Sequence, residues 1–343
     1  MKRKNIVLCF DGTGGEHFHR TNPLLIASLA KQMPNQLVWY DPGIATGGFT
    51  YTQDFQQRLE DFISGTGLQK NIEDGYQFLM QTYNPGDRIF MYGHSRGSYT
   101  AASLCGMINK VGLLRSHLTN LVPYASQLYN TDGEAKSIGS NLTNSAKAEQ
   151  FAQEFCRRPT IEFLGLFDMV GSLSGDAAKR HHDVKLIDNT AAQINYCYHA
   201  VAIDEKRADF APTLIVEDRT HYKRLNVYFA GAHGDVGGGY AEMGPTDQEA
   251  SNAALYWMLL RSAGLPGLKL PENWQSQFED KDGAHYYSYT GTIHNSFLGW
   301  ESRGEQVRRI PEGSYMHASV KNRLDAGGYT PTNLPQDINW LLV

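Results

Sequence analysis

The sequence reads as an α/β chain built on a mainly parallel sheet with helices on both faces. Three observations carry this. Short, continuously apolar runs recur along the chain, and each ends at Gly, Asp or both. Helical stretches lie between them. Glycine supplies 34 of 343 residues and gathers where those runs end, the place where tight turns need it. A strand buried on both faces is apolar throughout rather than alternating. Strands that alternate with helices imply parallel pairing through crossovers.

The first strand is Asn5–Phe10, closed by Asp11-Gly12-Thr13-Gly14-Gly15. Gln36–Tyr40 ends at Asp41-Pro42-Gly43, and Arg88–Tyr92 ends at Gly93. Thr160–Phe167 ends at Asp168, and Leu225–Ala230 ends at Gly231. Between them, Leu68–Thr82 places Ile72, Tyr76, Leu79 and Met80 on one helical face. Gly97–Ile108 is small and apolar, as suits a helix packed under a sheet. Thr246-Asp247-Gln248-Glu249 is a capping box that opens a helix closed by Gly264 and Pro266. Residues 110–158 and 172–222 fit the sheet poorly and read as cap or lid insertions in a single domain, 1–343. The Tyr- and Trp-rich residues beyond 268 show few clean periods.

Composition excludes several classes of function. The net charge is −5 and no basic stripe appears, so a nucleic-acid partner is not expected. No apolar run is long enough for a transmembrane helix. The basic Met1–Asn5 start is followed by too short an apolar run for a signal peptide. These features predict a cytoplasmic location in the producing cell. Cysteines 9, 105, 156 and 197 have no metal-ligand spacing and read as reduced, mostly buried thiols. The phosphate-loop and H-E-x-x-H patterns are absent, so neither a cofactor nor a metal is expected. Asp11-Gly12-Thr13 resembles part of a phosphotransferase motif, but Cys9 stands where that motif needs its nucleophilic Asp.

Gly93-His94-Ser95-Arg96-Gly97 matches G-x-S-x-G and sits between a predicted strand and a predicted helix. That setting is a nucleophile elbow, and it makes the expected fold α/β-hydrolase-like, a mainly parallel sheet with cap insertions. The elbow lifts the Ser95 hydroxyl above the sheet and turns the Arg96 N–H toward a developing oxyanion. A serine nucleophile needs a histidine base and a carboxylate to orient it. Asp168 and His233 stand at strand ends downstream of Ser95, in the order Ser, Asp, His. Asp235 is the rival acid and His294 the rival base. His94 reads as a neighbour of the site rather than the base. The glycine turn Gly12–Thr13 is the candidate second oxyanion donor, with Asp11 paired to Arg96 as its brace. Tyr240, Phe297 and Trp300 read as core side chains ahead of an acyl pocket.

These motifs together resemble the DUF2235 family, which contains the Tle1-like phospholipase effectors of type VI secretion. The resemblance rests on Asn5–Gly14, Asp41–Gly43, Gly93–Gly97, Phe167-Asp168, His199–Glu205 and Gly231–Tyr240, with a tail over 292–309 and 316–324. It implies an α/β-hydrolase cleaving acyl esters of glycerophospholipids, of the phospholipase A1 or A2 type. It also implies Ser95 as nucleophile, His233 as base and Asp168 as acid. As partners it implies a phospholipid substrate, peripheral membrane contact, an immunity protein and a component of the secretion apparatus. The expected destination is the periplasm of a target cell. Met169 and Asn295 depart from residues common in the family. The alternatives are an esterase or thioesterase on another acyl substrate, and a non-catalytic interaction module.

Overall fold

The computed structural model describes residues 3–12, 20–43, 66–131, 142–171, 194–240, 249–278 and 291–341. Thr13, Gly14, Gly15 and residues 246–248 of the expected capping box lie outside them.

The strands are β1 (Asn5–Phe10), β2 (Gln36–Asp41), β3 (Arg88–His94), β4 (Leu113–Leu114), β5 (Cys156–Arg157), β6 (Ile161–Phe167), β7 (Ile194–Ala202), β8 (Arg224–Phe229), β9 (Ser314–His317) and β10 (Ile338–Leu341). Eight form one sheet in the order β2-β1-β3-β6-β7-β8-β9-β10. Every pairing in it is parallel. All six residues of β1 are buried, which is why the run is apolar without alternation.

The order contains a reversal. The chain leaves β1 for β2 on one side, then places β3 on the other. Open α/β sheets bind ligands beyond the carboxyl ends of strands at such a point. Asp11-Gly12 and Ser95 leave the sheet there.

Helices cover both faces. α1 (Asn22–Ala30) and α7 (Glu249–Ala263) pack on one, with Ile26, Trp257 and Met258 meeting Val7, Phe90 and Phe163. α2 (Thr66–Thr82) and α3 (Arg96–Val111) pack on the other, with Ile72, Tyr76 and Leu104 meeting Ile6, Leu8 and Met91. α8 (Ala318–Ala326) closes the far edge, where Val320 joins Val201, Tyr228 and Met316. All four cysteines are buried.

Both expected insertions are redrawn. Residues 194–202, read above as part of a cap, are the central strand β7. Tyr196, Tyr198 and His199 interrupt its apolar pattern, and they hide a strand whose last six residues are all buried. The described part of 110–158 forms α4 (Val122–Asn130) and α5 (Asn144–Phe155), pinned at its base by the antiparallel pair β4–β5. Val122, Ala125, Leu128 and Phe151 join the core of the α2–α3 face, so these helices widen that layer. The tail supplies β9 and β10, four residues each and too short to show a period.

Candidate active site

Ser95 stands between β3 and α3 with φ 57° and ψ −123°. A non-glycine residue with positive φ is strained, and the strain persists only where packing over-determines it. The two motif glycines supply that packing. A Cβ on Gly93 would lie 2.4 Å from Gly97 O, and one on Gly97 would lie 2.2 Å from Phe10 O. Larger residues would push the elbow off β1. Backbone bonds hold the turn against β6, from Ser95 N–H to Phe167 O at 2.9 Å and from Val170 N–H to Ser95 O at 3.5 Å.

Asp168 follows β6, the strand beside β3, and also has positive φ, 43°. Its carboxylate is fully buried. Oδ2 accepts from His233 Nδ1 at 2.6 Å and from Arg308 Nη2 at 2.9 Å. Oδ1 accepts from Arg308 Nη1 at 2.6 Å and from Ala202 N–H at 2.9 Å. Burial alone would raise this carboxyl, but the Arg308 guanidinium and His233 hold it far below the usual carboxylate range. A carboxylate can only accept, so it selects the tautomer with hydrogen on Nδ1 and leaves Nε2 of His233 as the basic nitrogen.

His233 opens the short helix α6 (His233–Gly237) beyond β8. Burial pushes its imidazole pKa down, while Asp168 opposes the shift. The His94 ring lies 4.7 Å from it, and Phe210 meets it edge-on at 5.0 Å. His94 thus packs between the elbow and α6, and a Cβ on Gly237 would overlap its ring. Ser95 Oγ and His233 are not hydrogen-bonded to each other.

Arg308 and Glu205 have no counterpart among the predicted site residues. Arg308 is buried and also donates to Ala202 O and Phe210 O. It stands 140 residues from Asp168, a distance at which no local spacing could show it. Glu205, 1% exposed, accepts from His233 N–H at 3.2 Å, from Ser296 Oγ at 2.9 Å, and from Arg207 Nε and Nη2. Burial would raise Glu205, but Arg207 brings it down to about 2. His199, lowered to about 4 by burial, accepts from Met169 N–H and fixes the backbone just past Asp168. Glu205 and His199 do lie within the motif string His199–Glu205, which was the available signal.

The two rivals pair with each other. Asp235 Oδ1 meets His294 Nδ1 at 2.5 Å, and Oδ2 accepts from His294 N–H and Ala232 N–H. Tyr240 stacks on His294 at 3.9 Å. This second pair clamps α6 to the 291–295 segment, while Asp168 holds His233. His294 also borders a cavity of about 840 Å³ shared with Ile203, Lys206, Arg323 and Asn333.

Gly12 borders the elbow. A Cβ built on it would stand 3.6 Å from Ser95 Oγ. Arg96 begins α3, where helix N–H groups lack intrahelical acceptors. Asp11 does not pair with Arg96 as expected. Its Oδ2 accepts from Thr21 Oγ1 at 2.6 Å and Tyr40 OH at 2.5 Å. Burial raises this carboxyl to about 6, and the two hydroxyl donors, in place of a cation, oppose the shift. A raised folded pKa stabilises the protein fully below the unfolded value near 4, and the gain is lost as pH rises through about 6. Asp11→Asn keeps an oxygen for both hydroxyls. The expected result is a flatter stability profile between pH 4 and 7 in denaturant unfolding. An unchanged profile would contradict this account.

Among the described residues no cluster suited to a metal ion occurs, and no helix is long and apolar enough to cross a membrane. The family model of the type VI secretion phospholipase effector Tle1-like catalytic domain matches residues 4–261. The chain belongs to this Tle1-like family. An uncharacterised protein of Saccharomyces cerevisiae, YEL023C, is 35% identical over 223 residues, covering 60% of this chain and 32% of the yeast protein. A crystal structure of an uncharacterised Pseudomonas aeruginosa protein aligns with TM-score 0.47 and 18% identity, over 80% of this chain and 47% of the other. The Tle1 effector bound to the VgrG spike of a type VI secretion system aligns with TM-score 0.39 and 17% identity, over 69% and 51%. The Tle1-like chain thus spans about a third of the yeast relative and about half of each structure. Arg308, which pairs with Asp168, lies beyond the Tle1-like match.

Proposed function

We propose that the chain is a serine hydrolase that cleaves acyl esters of glycerophospholipids. The observation that carries the reading is the buried 2.6 Å Asp168–His233 contact, set at the same end of the sheet as the strained Ser95 elbow. Membership of a phospholipase effector family supports the substrate class.

In this mechanism the Ser95 hydroxyl swings toward His233 Nε2, gives up its proton and attacks the ester carbonyl. The oxyanion takes hydrogen bonds from the Arg96 N–H and from backbone at Gly12. The carbonyl–oxygen bond to the alcohol breaks, and His233 returns the proton to the leaving alcohol. Water activated by His233 then cleaves the acyl-enzyme. Asp168 stays ionised and stabilises the imidazolium in each half-reaction.

The family also supports export through a type VI apparatus. A spike component is the proposed partner in the producing cell, an immunity protein the proposed partner in kin, and the periplasm of a target cell the proposed place of action.

The test is fluorophosphonate labelling followed by a lipid panel. The expected result is a single adduct at Ser95, with fatty acid released from phosphatidylethanolamine or phosphatidylglycerol. The position of that fatty acid separates A1 from A2 cleavage. Folded protein that takes no label refutes the serine mechanism. Turnover of short p-nitrophenyl esters without phospholipid cleavage would instead assign another acyl substrate.

A further inference from the structure

The rings that back His233 continue to the surface. Phe210 meets His233 at 5.0 Å, and Trp300 meets Phe210 edge-on at 5.6 Å. The Arg207 guanidinium lies over both rings, 3.5 Å from Phe210 and 5.1 Å from Trp300. Trp300 closes the turn Phe297-Leu298-Gly299-Trp300, joined by a 2.9 Å bond from its N–H to Phe297 O. Gly299, with φ 85°, lets the chain reverse. The turn carries Leu298 outward, 72% exposed, with Phe297 and Trp300 half-buried beside it. Val307, also exposed, follows the bridge between Glu305 and Arg207. Leaving a leucine in water forgoes about 1.5–3 kcal/mol of burial. Leu265 is more exposed, but it lies at the opposite end of the sheet, beside Arg88 where β3 begins. Single exposed apolar residues of that kind are ordinary.

We propose that the turn 297–300 docks on the surface of a phospholipid bilayer, with Leu298 among the acyl chains and Trp300 at headgroup depth. This rests on the lipid-hydrolase reading. The extent of the rim selects the occupant. A stable protein partner needs about 20–30 residues a side, whereas the described rim offers four apolar side chains. A bilayer requires no matching shape, and each buried methylene contributes about 0.8 kcal/mol. The rim is also continuous with the base through two ring contacts. Docking therefore sets the site where an acyl ester leaves the bilayer. Among the described side chains, the exposed charges beside the rim include Lys206, Arg309, Glu301 and Glu305. Apolar burial is the driving force of the proposed docking.

The test uses the full chain and sedimentation with phosphatidylcholine vesicles, with and without phosphatidylglycerol. Leu298→Asp is expected to weaken vesicle binding at least about tenfold. Hydrolysis of vesicle phospholipid should fall in parallel, while turnover of a soluble short-chain p-nitrophenyl ester stays unchanged. Ser95→Ala should bind vesicles like the unaltered chain, which separates this proposal from the serine mechanism. Two results would overturn it: no vesicle binding by the unaltered chain, or undiminished binding by Leu298→Asp.

Discussion

Ser95→Ala is expected to lower acyl-ester turnover on the order of 10⁴–10⁶-fold, leaving only what oriented binding and the oxyanion donors supply. Ser95→Gly should be equally inactive, yet it should be more stable than the unaltered protein by about 1–3 kcal/mol. The difference lies in the backbone. At φ 57° and ψ −123° a side chain is strained, and glycine is not. A strained serine at this position supports the proposal that it is kept for chemistry. Turnover of a chromogenic ester and denaturant midpoints of both variants test the pair. An active Ser95→Ala would sink the mechanism. A Ser95→Gly no more stable than the unaltered chain would remove the strain argument while leaving the mechanism standing.

Asp168 and Arg308 give the second large effect. Asp168→Asn is expected to lower kcat about 10⁴-fold, because the amide stabilises the wrong imidazole tautomer. It should also destabilise the fold by about 3–5 kcal/mol, since Arg308 keeps a buried charge with no counter-charge. Arg308→Met should cost a similar amount for the reciprocal reason. The double variant should recover much of the stability and none of the activity. The pH profile adds a readout that a purely structural role would not move. The folded pKa of His233 lies below its ordinary value, so the neutral base persists on the acid side of pH 6.5 or so. Arg308 offsets part of the Asp168 charge that would raise it. Removing Arg308 should raise the His233 pKa, and the acid limb of kcat/KM should move to higher pH. Additive stability losses in the double variant, or an unmoved acid limb, would refute the coupling.

The parts of the site legible in the sequence are those that local backbone chemistry demands. Strands buried on both faces must be apolar, so β1, β3, β6 and β8 stood out, and the residues ending them could be ranked. Gly93 and Gly97 are forced by contacts of 2.4 and 2.2 Å with neighbouring backbone, so the elbow left a pattern of its own. β7 was hidden because its buried aromatics and His199 satisfy their polar atoms through tertiary partners such as Tyr222 O, Met169 N–H and Asn226. The Asp11 brace was misassigned for a related reason. An isolated Asp suggests a cationic partner, but this carboxyl, raised by burial, takes two hydroxyl donors instead. Asp235 and His294 each looked like a rival member of the triad. Only tertiary structure shows that they occupy each other. Arg308 lies in the family-like tail 292–309, but nothing local assigned it a role, because its requirement is set by a charge that folding alone brings near.

The reach of Arg308 also bears on when the Asp168–His233 pair can acquire its counter-charge. Ser95, Asp168 and His233, the proposed nucleophile, acid and base, emerge from the ribosome in that order, and the counter-charge of Asp168 follows only at residue 308. Until then Asp168 has no bidentate cation, and the far edge of the sheet lacks β9 and β10. Contacts so distant in sequence form late, since loop closure must precede them. In the proposed mechanism the ion-paired form of Asp168 is thus withheld until the chain has passed Arg308.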